Sequence, residues 1–199
     1  MSPTVFPEQA IPNRVLLTQI SWDSLERLDE ELGDRARLVY LDGALEIKVP
    51  LPEEDSEEHE EPKNTLGRIL EIYLHWKKIR FYGRGSTTLG MRELGARKEP
   101  DESYCLYERK KTPDLAIEVT VTSGGIEVLE IYRRQGVQEV WFWEDGQIAV
   151  YGLGEAGYER LEQSGLLPEL DLELVSRCTR MGDQYDAVNE FLSRLRIRL

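Results

Sequence analysis

The stretch of sequence that decides the fold is residues 114–121, which reads Asp-Leu-Ala-Ile-Glu-Val-Thr-Val. Its apolar residues predict a strand in the middle of a sheet. Glu118 interrupts the apolar run, and burial of a carboxylate there is costly unless a partner compensates its charge. That partner can be a metal ion, an arginine or a hydrogen-bond network. Alternatively, the strand is covered on one face only and Glu118 points to water.

A second acidic residue, Asp101, follows Pro100 just ahead of the strand-like run 103–107. Pro-Asp is also common turn chemistry, so this pair alone has a plain structural explanation. A turn-rich stretch separates Asp101 from Glu118, and adjacent antiparallel strands would therefore place the two side by side. Two carboxylates in that arrangement suit a hard cation such as Mg²⁺, which prefers oxygen ligands. Such centres are typical of phosphodiester hydrolysis.

Strand and helix signals alternate on both sides of this segment. Apolar residues recur at helical spacing in four places: after Ser21, from Asn64, over 126–135 and from Asp183. Asp-Gly pairs at 42–43 and 145–146 lie between apolar runs and predict β-hairpins. Residues 80–89 are predicted as a strand, and the acidic run 53–61 as a solvated loop and the start of a helix. The predicted fold is α/β, a single domain over 1–199 with a mixed β-sheet flanked by helices and an N-terminal β-hairpin.

The composition is that of a folded, acidic protein. Lys and Arg number 25 against 38 Asp and Glu, which gives a net charge of −13, and 40% of the residues are hydrophobic. This balance argues against a surface coated in basic charge for nucleic acid, but it leaves room for a local basic groove. We expect no membrane span and no secretory signal, because no apolar run is long enough. The two cysteines suggest neither a disulfide framework nor a zinc site, so we expect a reduced, cytoplasmic setting.

Short motifs spread over about residues 35–155 resemble, in their order and spacing, the Uma2 family of restriction-endonuclease-like proteins in the PD-(D/E)XK nuclease superfamily. Each motif is short, and their joint order is what makes the resemblance specific. The motifs are Asp42-Gly43, His59, His75-Trp76, Arg80–Gly83, Gly85–Leu89, Glu99–Glu102, Pro113–Val119, Thr122–Ile126, Leu129–Arg133 and Gly136–Trp143.

The resemblance implies a restriction-endonuclease-like PD-(D/E)XK core over about residues 35–155, on which C-terminal strands and a helix in 156–199 pack. It also implies that Asp101 and Glu118 bind Mg²⁺, or Mn²⁺ in its place, next to a phosphodiester of DNA. His59 is at a position where family members often carry a histidine near the site, and the alternative is a solvated histidine in an acidic loop. A homodimer is expected by analogy, since cleavage of both strands of a duplex suits a two-fold assembly.

The chain departs from the family pattern at the lysine. The superfamily pattern has a lysine two residues after the strand carboxylate, where this chain has Thr120. In the Uma2 branch it usually lies four residues before the helix tyrosine, where this chain has Val128. That lysine orients the attacking water and offsets charge on the phosphoryl oxygens, and loss of such a group commonly costs about 10²–10³ in rate. Four other cations could take its place: Lys98, Lys110, Lys111 and Arg84.

A locally basic stretch over residues 80–98, interleaved with aromatic residues, runs up to Asp101. In a nuclease the phosphate backbone would lie along it, which predicts that Arg80, Arg84 and Lys98 contact DNA. A solvated strand face explains the same charges equally well.

Three hypotheses follow. The leading one is a Mg²⁺-dependent endodeoxyribonuclease in which Asp101 and Glu118 bind the metal and an activated water attacks the phosphorus. The second is a catalytically impaired nuclease fold that serves as a binding or assembly module, motivated by Thr120, by Val128 and by the net charge. It predicts that no lysine or arginine amine lies near the acidic pair. The third is an unrelated carboxylate-metal hydrolase of small phosphoesters.

Overall fold

The structure is a computed structural model that describes residues 14–49, 53–119 and 127–195, with the backbone alone for 53–59. In chain order its strands are β1 (Arg14–Leu17), β2 (Arg37–Leu41), β3 (Ala44–Lys48), β4 (Phe81–Gly83), β5 (Leu89–Met91), β6 (Ala96–Lys98), β7 (Glu102–Leu106), β8 (Leu115–Val119), β9 (Glu139–Glu144), β10 (Gln147–Gly154) and β11 (Gly157–Leu161). Its α-helices are α1 (Trp22–Leu32), α2 (Glu53–Trp76), α3 (Val128–Gln135), α4 (Leu172–Thr179) and α5 (Gln184–Arg194), with short 3₁₀ turns at Gly33–Arg35 and Arg92–Leu94.

The strands divide between two sheets. The first has the order β1-β3-β2-β6-β5 and is antiparallel throughout. The second has the order β11-β10-β9-β8-β7-β4 and is mixed, because β8 and β9 run parallel and are joined through α3. The predicted class, α/β with a mixed sheet flanked by helices, is confirmed, although the strands form two sheets rather than one. None of the described helices combines the length and the apolar character needed to cross a bilayer.

The N-terminal hairpin forms as predicted, for local reasons. Asp42 and Gly43 both have positive φ angles, 46° and 89°, which the two-residue turn between β2 and β3 requires. Helix α1 begins after Ser21, whose side-chain oxygen accepts a hydrogen bond from the Ser24 backbone N–H at 3.2 Å. The helix packs a fully buried Leu25 against this sheet. The hairpin thereby fixes the start of β2, which faces the second sheet.

The acidic run 53–61 is helical, which makes the predicted loop wrong. Helix α2 extends from Glu53 through Pro62 to Trp76 without interruption. Glutamate has a good helix propensity, and acidic residues near a helix N-terminus are stabilised by the helix dipole, so the run favours a helix despite its polarity. The second half of α2 buries an apolar face on the second sheet together with α4 and α5: Leu66, Ile69, Leu70, Tyr73 and Leu74.

Residues 80–89 do not form one strand, contrary to the prediction. The chain leaves β4 after Gly83, turns over 84–88 with Gly85 at a φ of 53°, and enters β5 in the other sheet. The Arg84 backbone N–H donates to the Ser103 carbonyl at 2.8 Å, which holds the start of this turn on β7. The switch between sheets brings β6, the neighbour of β5, next to the end of β8.

Helix α3 covers the face of the second sheet opposite α2. Tyr132 of α3 is fully buried there with Ala116 of β8 and Val140 and Phe142 of β9. Because side chains alternate along a strand, Ala116 and Glu118 point to the α3 side while Leu115 and Ile117 point to the α2 side. Glu118 therefore enters a space bounded by α3 and the first sheet.

Candidate active site

Asp101 and Glu118 lie side by side at one end of the β7–β8 pair. The antiparallel register pairs Glu102 with Ile117, so the next positions along the two strands are Asp101 and Glu118. The Val119 backbone N–H donates to Asp101 Oδ2 at 2.8 Å. The two side chains are 5% and 7% exposed. The adjacency expected from the sequence is present, and the alternative in which Glu118 points to water is wrong.

Asp101 is held by a cation from the first sheet. Arg37 Nη1, at the start of β2, donates to Asp101 Oδ1 at 2.6 Å, while Oδ2 accepts the bond from β8. Both carboxylate oxygens thus have donors that fix the plane of the group. The arginine side chain is 39% exposed, so this contact lies where the site opens towards solvent.

Glu118 is held by a tyrosine and a lysine. The buried Tyr132 hydroxyl of α3 donates to Glu118 Oε1. Lys98 Nζ, from the end of β6, lies 3.0 Å from Glu118 Oε2 and also donates to the Glu99 carbonyl at 3.3 Å. The lysine is itself only 9% exposed. Two elements outside β8, helix α3 and strand β6, therefore converge on one carboxylate.

The pKa of the Glu118 carboxyl reflects its burial, its cation and its acidic neighbour. Burial raises the pKa of the Glu118 carboxyl above its ordinary value, the Lys98 ammonium opposes this, and the neighbouring charge of Asp101 raises the pKa again. Burial also raises the pKa of the Tyr132 hydroxyl well above its ordinary value, with the charge of Glu118 adding to the effect. The tyrosine is therefore a neutral hydrogen-bond donor at physiological pH.

The residues present fit a magnesium site built from two carboxylates. Within the described parts of the chain, no group of three or more His, Cys, Asp or Glu side chains is arranged to hold a metal. Mg²⁺ is commonly bound through one or two carboxylates, with waters and substrate phosphates as its remaining ligands. Asp101 and Glu118, adjacent and oxygen-bearing, match that donor set, and the like-charge repulsion between them would be relieved by a cation.

Two of the positions weighed in the sequence cannot be placed at the site. His59 falls within α2, but its side chain lies outside the described residues. Thr120 also lies outside them. Val128 is the first residue of α3 and packs, partly buried, against the cluster around Tyr132.

Arg80 lies towards the other end of the strands, whereas the Arg84 backbone is opposite Ser103, two residues from Asp101. The Arg80 carbonyl accepts from the Tyr107 N–H at 2.6 Å, and Tyr107 is six residues beyond Asp101. At about 3.3 Å per residue this is roughly 20 Å from the acidic pair. Arg84 Nη1 donates to the carbonyls of Lys110, at 3.2 Å, and of Lys111.

Of the four cations considered as replacements for the missing lysine, Lys98 alone contacts the acidic pair. Lys110 binds Asp114 at 2.7 Å, and the carbonyls of Lys110 and Lys111 are held by Arg84 in the β7–β8 loop. Arg37 and Tyr132 were missed by the sequence reasoning. Asp101 and its arginine are 64 residues apart, and no local pattern marks such a contact.

The sequence profile of the Uma2 family, described as "Putative restriction endonuclease", matches residues 22–180. The chain belongs to the Uma2 family. The match contains every described residue that is named above as a contact of the acidic pair, and it extends beyond both ends of the range that the motifs indicated. This Uma2 chain therefore has a PD-(D/E)XK-like fold and belongs to a family of nucleases. A search of curated proteins finds no match to it.

Proposed function

We propose that this Uma2 protein is a Mg²⁺-dependent endodeoxyribonuclease, with Mn²⁺ as an alternative metal and duplex DNA as its substrate. The proposal rests on how two carboxylates and one ammonium are arranged. Asp101, directly before β7, and Glu118 of the adjacent strand β8 lie side by side and buried, with the Lys98 ammonium 3.0 Å from Glu118. This is a carboxylate pair with a cation beside it, the set of groups that metal-assisted phosphodiester hydrolysis uses.

The chain's own residues would orient the two metal ligands. Arg37 and the Val119 N–H fix the Asp101 carboxylate, and the Tyr132 hydroxyl fixes one oxygen of Glu118. Bound Mg²⁺ would polarise the phosphodiester and lower the pKa of a coordinated water. Because Glu118 is on a strand, Asp101 directly precedes one, and both are held by hydrogen bonds, the site needs little reorganisation to accept a cation.

Lys98 takes, in this proposal, the part played by the family's lysine. An ammonium has three N–H donors, and two are directed to Glu118 and to the Glu99 carbonyl. The third can reach a water or a phosphoryl oxygen bound next to Glu118. A lysine from β6 would thus approach the same carboxylate from the other sheet, while Thr120 and Val128 supply no amine.

The test is cleavage of supercoiled plasmid DNA with Mg²⁺ or Mn²⁺. Wild type should nick or linearise the plasmid, and Asp101→Asn and Glu118→Gln should each lower the rate by at least about 10²-fold because each removes a metal ligand. Lys98→Met should also lower the rate, and Lys63→Met is its matched control, because Lys63 likewise pairs with a glutamate, Glu60, within α2. Equal cleavage by wild type and both carboxylate variants would contradict the proposal.

A specific observation also favours the second candidate, an impaired nuclease fold that acts as a binding or assembly module. Among the described residues, Arg37 already pairs with Asp101 and Lys98 with Glu118, so both carboxylates have a cation beside them without a metal. Against this candidate, its expectation that no lysine or arginine lies near the pair is wrong. It predicts that DNA is bound but not cut with either metal.

Two further expectations are checked with the same preparations. A hydrolase of small phosphoesters would act on a chromogenic phosphodiester and leave plasmid DNA intact. The proposed homodimer rests on the two-fold symmetry of duplex cleavage. Light scattering coupled to size-exclusion chromatography should give twice the mass of the 23.0 kDa chain if it is correct.

A further inference from the structure

The β4 edge of the second sheet carries a compact group of cations. Residues 77–84 and 109–111 contain seven Lys and Arg and no Asp or Glu, in a chain whose net charge is −13. Lys77 is paired with Glu169 and Lys110 with Asp114. The other five have no ion pair to a carboxylate within the described residues: Lys78, Arg80, Arg84, Arg109 and Lys111.

The β7–β8 loop folds onto this edge strand and orders part of the group. The Arg84 guanidinium donates to two carbonyls of the loop, and the Arg109 guanidinium lies over the Tyr82 ring, 4.7 Å from its centroid. A stacked arginine is held in one orientation and keeps its N–H donors available around the edge of its plane. We define the anchor surface as Arg80, Tyr82, Arg84, Arg109 and Lys111.

The anchor surface lies on the same face of the sheet as the acidic pair. Tyr82 is paired with Cys105 across β4 and β7, and directly opposed residues point to one face. Asp101 is four residues from Cys105, so the two-residue alternation of a strand puts it on that face too. Arg80 and Arg84, two residues to either side of Tyr82, share its direction.

The separation matches a short length of duplex. Four residues along β7 are about 13 Å and one strand spacing is about 4.8 Å, so Tyr82 lies about 14 Å from Asp101. Successive phosphates on one strand of B-DNA are about 3.4 Å apart along the axis, so this distance covers about four base pairs.

We infer that the anchor surface binds the phosphate backbone of duplex DNA about four base pairs to one side of the bond held at Asp101 and Glu118. The inference rests on the proposed function, because that function defines where the cleaved bond lies relative to the anchor surface. The contacts are to phosphate, because arginine and lysine donors on an exposed strand face have the chemistry for backbone contacts and supply affinity rather than sequence specificity. Positive charges are also known to guard exposed edge strands against aggregation, which gives the competing explanation.

The first experiment measures binding without cleavage. Wild type in EDTA is titrated with a fluorescent duplex, and Arg80→Glu/Arg109→Glu is compared with Arg27→Glu/Arg160→Glu. The control pair lies on α1 and on β11, the opposite edge of the same sheet, and all four residues are exposed. We expect the anchor variant to raise Kd at least about tenfold and to lower the slope of log K against log salt by about 2, since two phosphate contacts are lost. The control should change Kd by less than about twofold.

Equal weakening by both pairs would overturn the inference, because it would show a non-specific effect of net charge. An unchanged Kd with aggregation of the anchor variant would also overturn it, in favour of the edge-guarding explanation. Arg80→Gln/Arg109→Gln, which removes the charges without reversing them, should weaken binding in the same direction if folding is intact by circular dichroism.

The second experiment tests the register. Duplexes cut by wild type are shortened from one end at a time, and cleavage should fall when fewer than about four base pairs remain on the anchored side. Cleavage that stays unchanged when fewer than about four base pairs remain on both sides of the cut bond would contradict the placement, whether the protein binds as a monomer or as a homodimer. If EDTA binding depends on the anchor surface and wild type cuts no DNA, the proposed function fails and this binding surface stands. If wild type cuts DNA but the anchor variant binds DNA normally, the inferred binding surface fails and the proposed function stands.

Discussion

Two buried glutamates on neighbouring strands show what separates a structural carboxylate from a candidate catalytic one. Glu139 of β9 is 2% exposed, and its oxygens accept from Trp141 Nε1 at 2.6 Å, Ser164 Oγ at 2.5 Å and the N–H of Gly165 at 2.8 Å. All these donors are neutral, and they tie the 164–166 loop to the sheet. Glu118 of β8 has a cation and a second carboxylate beside it instead.

Burial alone therefore does not mark a catalytic carboxylate. A carboxylate surrounded by neutral donors is satisfied and serves the fold. A carboxylate placed next to another one is held in repulsion, which is unfavourable unless a cation is bound there. The following predictions use the two glutamates and their partners to test this contrast.

The largest expected effect on stability is at Glu139. Glu139→Leu leaves several buried donors without an acceptor and should lower the free energy of unfolding by about 3–5 kcal/mol. Glu118→Gln should change it by no more than about 1 kcal/mol, since relief of the repulsion from Asp101 offsets the weaker contact with Lys98. Urea denaturation followed by fluorescence measures both. A larger loss at Glu118 than at Glu139 would reverse the assignment of roles.

Lys98→Met should lower plasmid cleavage by about 10²–10³-fold, because the positive charge next to the phosphoryl oxygens is lost. Adding Val128→Lys to this variant should restore part of the rate, since it returns an amine to the position that the family usually occupies. Single-turnover rates under saturating Mg²⁺ are the measurement. Full activity of Lys98→Met would remove this lysine from the mechanism.

Some features of the fold and of the site could be predicted from the sequence. The strand around Glu118, the Asp42-Gly43 turn and the helices after Ser21 and Asp183 were predicted because short-range chemistry decides them. The adjacency of the acidic pair followed from the hairpin geometry of two strands joined by a turn-rich stretch.

Other features depend on contacts between distant segments. The break after Gly83 is decided by where β4 and β5 find partners in two different sheets, which no periodicity records. The same holds for β1, β6 and the eight-residue helix α4, which are short and were not predicted. At the site, the sequence offered four cations as substitutes for the missing lysine and could not decide between them. Lys98 reaches Glu118 because the chain passes from β4 in the second sheet to β5 and β6 in the first.

Tyr132→Phe should have a smaller effect on the rate, about tenfold, because it removes one hydrogen bond that orients Glu118 and leaves the ligands and Lys98 in place. A positioning role predicts a lower affinity for Mn²⁺ together with the lower rate. A matched substitution, Tyr158→Phe, removes the hydroxyl that bonds the Val137 carbonyl away from the site and should leave the metal affinity unchanged.

The smallest effect on the cleavage rate is expected at Arg37, where the site opens towards solvent. Arg37→Gln should lower cleavage by a few fold, since Asp101 keeps the N–H of Val119 as a donor after the guanidinium is removed. The dependence of the rate on Mg²⁺ concentration shows whether the loss lies in metal binding. A loss as large as that of Asp101→Asn would mean that the arginine, rather than the carboxylate pair, dominates the site.

If Asp101 and Glu118 hold one divalent cation between them, Mn²⁺ binding followed by electron paramagnetic resonance will detect it. We expect one Mn²⁺ per wild-type chain, loss of that binding in Asp101→Asn and in Glu118→Gln, and wild-type binding in Glu139→Gln. Mn²⁺ affinity that is the same in all four proteins would contradict this expectation.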